Sequence, residues 1–192
     1  MIICVYGAAS DKIAPEYIEK VEILGKKMAQ RGHSLVYGAG ATGLMGAVAR
    51  GVYAEKGEII GVAPTFFNVD GILFENCTEL IGTETMRERK QMMEDKADAF
   101  IMVPGGIGTF DEFFEILTLK QLDRHNKALV IYNINNYYDC LSGMMKNAVN
   151  QHFTTPETID LYKISDNADE ILDYIENYVP SKNDIEILRN LK

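Results

Sequence analysis

Ala99-Phe100-Ile101-Met102-Val103-Pro104-Gly105-Gly106-Ile107-Gly108-Thr109-Phe110-Asp111-Glu112 holds a strand, a glycine turn and a helix start in one run. Ala99 to Val103 is a short, continuous apolar stretch of the kind that forms a fully buried strand. An amphipathic segment, Phe110 to Leu122, follows the glycines. Glycines at a strand-to-helix turn let the backbone come close to a ligand. The free N–H groups at the helix start favour an anion, most often phosphate. The same run puts two carboxylates, Asp111 and Glu112, in the first turn of the predicted helix. An acid beside a phosphate cradle repels phosphate, so chemistry on the far side of a phosphorylated ligand is one reading that reconciles them.

The same alternation extends outward in both directions. Strand-like runs occupy Ile2–Tyr6, Ser34–Tyr37, Ile59–Val62, Glu79–Ile81, Ala99–Val103, Ala128–Tyr132 and Tyr162–Ile164. Helical patterns occupy Pro15–Arg31, Gly43–Lys56, Thr85–Lys96, Thr109–Arg124, Tyr137–Gln151 and Ala168–Tyr178. In the first of these Tyr17, Val21, Leu24 and Met28 repeat at helical spacing, Pro15 stands near the start and Gly32 ends it. Strands alternating with helices predict an α/β fold: a Rossmann-like, doubly wound, mostly parallel sheet of about seven strands with helices on both faces. Ligands in such sheets bind beyond the carboxyl ends of the strands, near a switch in strand order. Gly7, Gly38-Ala39-Gly40 and Gly105-Gly106-Ile107-Gly108 follow the first, second and fifth strands, where that rule wants them. One domain is predicted over 1–180, with 181–192 a polar tail or short helix.

At 192 residues the chain is long enough for a full core. Hydrophobic residues make up 47% and charged residues 24%, as in ordinary soluble domains. No apolar run reaches the ~18 residues of a membrane span. The sequence starts on a strand-like run without a basic n-region, so no signal peptide is expected. Cys4, Cys77 and Cys140 form no C-x-x-C pair, which argues against disulfides or structural zinc and predicts a reducing cytoplasm. His33, His125 and His152 lie far apart, so no metal site is expected, and no cofactor either. The formal net charge of −9 disfavours a nucleic-acid polymer as partner. It still allows a small anionic ligand gripped by a local Arg-Lys pair and helix N-termini.

Gly38-Ala39-Gly40-Ala41-Thr42-Gly43 matches G-x-G-x-x-G, but after the second strand rather than the first. Glu58, at roughly the acid's spacing, opens a strand instead of closing one. A dinucleotide site is therefore disfavoured; a structural tight turn and close approach to a nucleotide or phosphate remain, the latter preferred. Neither glycine run carries the Lys and Ser/Thr of a Walker A loop, and no G-x-S-x-G elbow is present. In Met86-Arg87-Glu88-Arg89-Lys90-Gln91-Met92-Met93 the apolar stripe takes Met86, Met93 and Ala97. Arg89 falls near its edge. It either belongs to a solvated face or reaches into a cleft to grip phosphate, because helical periodicity fixes the face and not the cleft. Asp111 suits a helix N-terminus through the dipole. Glu112, about 100° away on the wheel, becomes a cleft carboxylate if it shares a face with Glu115.

Taken together, M-x-x-R-K (Met86, Arg89, Lys90) and P-G-G-x-G-T-x-x-E (Pro104 to Glu112) resemble the paired motifs of the Lonely Guy (LOG) family. Its members are cytokinin riboside 5′-monophosphate phosphoribohydrolases, many formerly labelled possible lysine decarboxylases. Further echoes are Leu35-Val36-Tyr37-Gly38, Gly43-Leu44-Met45-Gly46, Ala97-Asp98-Ala99-Phe100 and Asn136-Tyr137-Tyr138, and the resemblance runs from Ile2 to about Phe153. It implies hydrolysis of the N-glycosidic bond of a nucleoside 5′-monophosphate, AMP or an N6-modified AMP, to free base and ribose 5-phosphate. It implies Arg89 and Glu112 as the catalytic pair. Lys90, Gly105, Gly106, Gly108, Thr109 and Thr118 would bind substrate, with Met86, Gly40, Gly43 and Ser10 lining the site. It also implies a homodimer or larger assembly with sites completed near the subunit interface. Arg89 could hold phosphate or align Glu112. A non-catalytic nucleotide-binding or sensing module of the same fold is the alternative, against which the retention of both Arg89 and Glu112 counts. A pyridoxal-phosphate decarboxylase is rejected for want of a convincing Schiff-base Lys and phosphate site. The chain departs from the family pattern at Arg87, often His; at Ala8-Ala9, where hydroxyls are preferred; at Ala39, the middle of G-G-G; and near Asp70-Gly71, where plant members carry a Glu.

Overall fold

The computed structural model describes residues 1–67 and 71–180. The predicted tail, 181–192, and Asp70 lie outside the described residues.

Seven strands, β1 (Ile2–Tyr6), β2 (Ser34–Tyr37), β3 (Ile59–Pro64), β4 (Glu79–Thr83), β5 (Ala99–Met102), β6 (Ala128–Tyr132) and β7 (Lys163–Ser165), form one sheet in the order β4-β3-β2-β1-β5-β6-β7. Every pairing is parallel, so the sheet is wholly rather than mostly parallel. The helices are α1 (Pro15–Gln30), α2 (Gly43–Ala54), α3 (Met86–Lys96), α4 (Ile107–Gln121), α5 (Asp139–Asn150) and α6 (Ala168–Glu176).

The central strands bury both faces, which explains their unbroken apolar runs. On one side Val21, Leu24 and Met28 of α1, Leu44, Val48 and Val52 of α2, and Ile171, Leu172 and Ile175 of α6 pack on Ile3, Val5, Leu35 and Ile101. On the other, Met93 of α3 and Phe113, Ile116 and Leu117 of α4 pack on Cys4, Tyr6, Phe100 and Met102. Helices α1 and α2 touch backbone to backbone: a Cβ at Gly25 would lie 2.3 Å from the Val48 carbonyl oxygen. Beneath them a charged cluster clamps α6 to the end of α1. Arg31 pairs with Asp169, Asp173 and Glu176 at 2.6–3.1 Å, and His33 meets Glu176 at 2.8 Å. No helix among the described residues is long and apolar enough to cross a membrane.

Most element ends differ from those predicted by one to three residues, and three of the differences bear on the site or the last strand. Helix α4 starts at Ile107, two residues ahead of Thr109, so Asp111 and Glu112 stand one turn inside it and not in its first turn. Helix α5 starts at Asp139 instead of Tyr137: Asn135 and Asn136 turn the chain at φ of +52° and +61°, Tyr137 closes the short 3-10 turn at Ile134–Asn136, and Tyr138 is the N-cap of the helix. The Asn133 side chain then accepts the Tyr138 amide at 2.7 Å, closing the turn. The last strand is shifted by one residue to Lys163–Ser165, behind a 3-10 turn at Pro156–Leu161.

Candidate active site

The chain winds from β1 through β2 and β3 to β4 in one direction and from β5 through β6 to β7 in the other. The switch point therefore lies between β1 and β5, where ligands of doubly wound sheets bind. The loops leaving these strands are tied together: the Ala8 amide donates to the Pro104 carbonyl at 3.2 Å.

Two glycine turns stand over this crevice, and they are used differently. At the start of α2 the Ala8 carbonyl accepts the Leu44 and Met45 amides at 2.8 and 3.2 Å, so these helix-start donors are already satisfied. Gly43 has φ +60°, and a Cβ there would lie 2.6 Å from the carbonyl oxygens of both Ala8 and Ser10. Ala39, at φ +59°, holds the left-handed conformation that glycine adopts without cost. Gly40 bridges to Leu73, and the Ala41 amide donates to the Ile72 carbonyl at 2.9 Å. The G-x-G-x-x-G run thus packs loop against loop. Ser10 is exposed, its hydroxyl accepting the Lys12 amide at 3.3 Å.

The start of α4 is open by contrast. Gly106 is its N-cap residue and no side chain caps it. Helix α3 shows what capping looks like: the Thr85 hydroxyl accepts the Glu88 amide at 3.1 Å and Glu88 reaches back to the Glu84 amide at 2.9 Å. Around Gly106 and Gly108 a Cβ would meet open space, and Ile107 is 83% exposed. Gly105 lets the buried Thr109 side chain fold beneath the turn, since a Cβ there would lie 2.1 Å from Oγ1. Two tyrosines pin the turn from behind. Tyr137 donates to the Gly105 carbonyl and Tyr138 to the Val103 carbonyl, each at 2.8 Å.

Beside this turn Arg89 of α3 and Glu112 of α4 form a buried ion pair, Nη1 to Oε1 at 2.7 Å. Arg89 Nε also donates to the Val62 carbonyl at the end of β3, at 3.2 Å. Its guanidinium lies on Gly38, where a Cβ would sit 1.7 Å from Nη2. The guanidinium is thus fixed by a carboxylate, a carbonyl and a missing side chain. Burial pushes the Glu112 carboxyl above its usual range, and the Arg89 charge and hydrogen bond oppose that rise. One carboxylate oxygen is taken by Arg89.

The other predicted site residues lie elsewhere. Lys90 Nζ is held by Asp111 at 3.0 Å and Glu115 at 2.6 Å. Asp111 therefore answers Lys90 on the neighbouring helix and not the helix start, and Glu115 faces Lys90 rather than Glu112's buried side. Lys90 and Thr118 line an outward groove of about 420 Å³ with Phe110 and Phe114. Met86 is 43% exposed and leaves the apolar stripe, whose Met93 and Ala97 are buried. The sequence reading missed Gly38 as the seat of Arg89 and Tyr137 as the pin of the turn, although both stand in stretches it had singled out.

Fold and crevice together define a doubly wound α/β protein of the Rossmann type. Within that class the chain belongs to the LOG family: the family profile described as "Possible lysine decarboxylase" matches residues 45–175. It is 35% identical over 188 residues to the probable cytokinin riboside 5′-monophosphate phosphoribohydrolase LOGL5 of Oryza sativa subsp. japonica, covering 97% of this chain and 76% of that one. It is 34% identical over 182 residues to the cytokinin riboside 5′-monophosphate phosphoribohydrolase LOG2 of Arabidopsis thaliana, covering 95% and 85%. Among solved structures it is similar in fold to the molybdenum cofactor binding protein of Rippkaea orientalis, with a TM-score of 0.71 at 20% identity over 91% of this chain and 94% of that one. The molybdenum cofactor carrier protein of Chlamydomonas reinhardtii gives 0.69 at 18% identity, over 98% of each.

Proposed function

We propose that the protein hydrolyses the N-glycosidic bond of a nucleoside 5′-monophosphate, AMP or an N6-modified AMP such as a cytokinin riboside 5′-monophosphate, giving free base and ribose 5-phosphate. The observation that carries this reading is a buried, guanidinium-fixed carboxylate beside an uncapped helix start. The names of the relatives support the same chemistry. Glycosidic cleavage passes through an oxocarbenium-like state with positive charge at the sugar. The amides of Gly106 to Thr109 hold the phosphate, and that binding energy positions the ribose. Glu112 stabilises the developing charge and orients or deprotonates the attacking water. Arg89 acts as the positioning residue for Glu112, its Nε donating to the Val62 carbonyl and its Nη1 to the Glu112 carboxylate. Purified protein incubated with AMP and with isopentenyl-AMP should release free base and ribose 5-phosphate in equal amounts. Absence of release from either nucleotide at high enzyme concentration sinks the proposal.

We also propose that the working unit is a homodimer. Helix α5 packs Leu141 and Met145 against the core only in part, and none of its residues is fully buried within the chain. Met144 is 54% and the following Phe153 84% exposed. A second copy is the occupant that fits the assemblies implied by the family resemblance. Light scattering at micromolar concentration should give about twice the chain mass of 21.5 kDa; a particle of the single-chain mass rules the dimer out.

A further inference from the structure

Gly38 and Gly40 leave space just beyond the end of β2, and two side chains share it. One is Arg89; the other is Met45, from the first turn of α2. A Cβ at Gly38 would lie 2.7 Å from Met45 Cε, and one at Gly40 would lie 3.3 Å from both Cε and Sδ. The Met45 side chain therefore runs along the two glycines and ends beside the Nη2 end of Arg89, which occupies the same space over Gly38. We propose that Met45 is a positioning residue for cleavage: its thioether keeps the Arg89 guanidinium in the plane that presents Glu112 to the substrate. The proposal rests on the hydrolytic reading above and adds a residue that acts through Arg89 without charge of its own.

Arg89 needs such a wall. Its guanidinium is a rigid plane. The Val62 carbonyl accepts from Nε at 3.2 Å and the Glu112 carboxylate from Nη1 at 2.7 Å. Two contacts leave a plane free to tilt about the line that joins them. No hydrogen bond among the described residues holds Nη2. Packing is what limits the tilt there: the Gly38 backbone, and the Met45 methyl beside it.

Met45 is itself held. Its amide donates to the Ala8 carbonyl at 3.2 Å, and its half-buried side chain packs against the core under α2. A long, unbranched thioether fills an irregular gap of this kind. Being apolar, it also keeps water from part of the ion pair, and the attraction between Arg89 and Glu112 strengthens as water is excluded. A shift of the guanidinium carries Glu112 with it, because the two are joined directly. Displacement of a catalytic group by about 1 Å is enough to cost rate.

The kinetics of AMP cleavage separate positioning from binding. Met45→Ala should lower kcat about 10- to 100-fold, the range that misplacement of a catalytic group produces. KM should change less than about two-fold, since the lost interaction is not one made with the nucleotide. Met45→Val, a milder truncation that also lacks Sδ and Cε, should lose rate in the same direction. Met45→Leu restores apolar bulk of similar volume and should bring kcat back to within about three-fold. Unchanged kcat in both truncations overturns the proposal. So does a rise in KM at unchanged kcat, which makes Met45 a binding contact, or an equal loss in Met45→Leu.

A second measurement needs no turnover. Urea unfolding is compared for Met45→Ala, Arg89→Met and the double variant. The combined change in the unfolding constant should differ from the product of the single changes by about two-fold or more, as for side chains in contact. Independent effects overturn the proposal whatever the kinetics show. If the unsubstituted protein releases no base, the hydrolase reading falls, and the urea cycle alone decides whether Met45 holds Arg89.

Discussion

Glu112→Gln should lower kcat for AMP cleavage about 10³-fold, the range spanned by loss of a positioned acid–base group. Binding of AMP should change little, because the amides at the start of α4 do not depend on the Glu112 charge. The substitution keeps size and the hydrogen bond to Arg89, so a fold change is not the cause of the loss. Turnover is followed by release of base, and binding by titration of the same preparation. Undiminished turnover removes Glu112 from the mechanism. The pH profile gives a second readout. The carboxyl is pushed up by burial, and Glu112 must be ionised to stabilise positive charge or accept a proton. Activity should therefore fall on the acid side through a pKa above the ~4.3 of an ordinary glutamate. An acid limb at or below that value means another group sets it.

The distance between what sequence and structure reveal is greatest where a side chain depends on something absent. Strand order, the parallel sheet and the glycine turn at the switch point follow from apolar runs and turn residues, which act locally. Periodicity placed Arg89 at the edge of a helical stripe, and it is there. It is buried because Gly38, fifty-one residues away, lacks the Cβ that would occupy its space. No local pattern carries that. The start of α4 differs from the expected one for a related reason. Ile107 is apolar yet points to solvent, so hydrophobic patterning registers the helix only from Phe110 onward. Sequence alone ties Asp111 to the helix dipole because its partner, Lys90, lies on another helix and is brought near only by packing. The G-x-G-x-x-G run shows the converse. Its glycines look like a phosphate cradle in the sequence, but Ala8 reaches the helix start first.

Breaking the Arg89–Glu112 pair from the cationic side should have the largest effect on stability. Arg89→Met retains apolar bulk near Gly38 but leaves a carboxylate buried without its counter-charge. Removing one partner of a buried pair costs about 3–5 kcal/mol, a large part of the ~5–15 kcal/mol that holds a typical domain together. The Val62 carbonyl also loses its donor. In the double variant Arg89→Met/Glu112→Gln the buried charge is gone, and what remains is a neutral amide needing a partner. Much of the loss should then return, giving a coupling energy of at least ~1 kcal/mol between positions that touch. Urea unfolding of the four proteins closes the cycle. If the two substitutions simply add, the 2.7 Å contact contributes nothing specific and the pair is not the electrostatic unit described here. Activity should not return with stability. The double variant lacks the carboxylate, and a refolded but inactive protein would separate the pair's contribution to the fold from its contribution to cleavage.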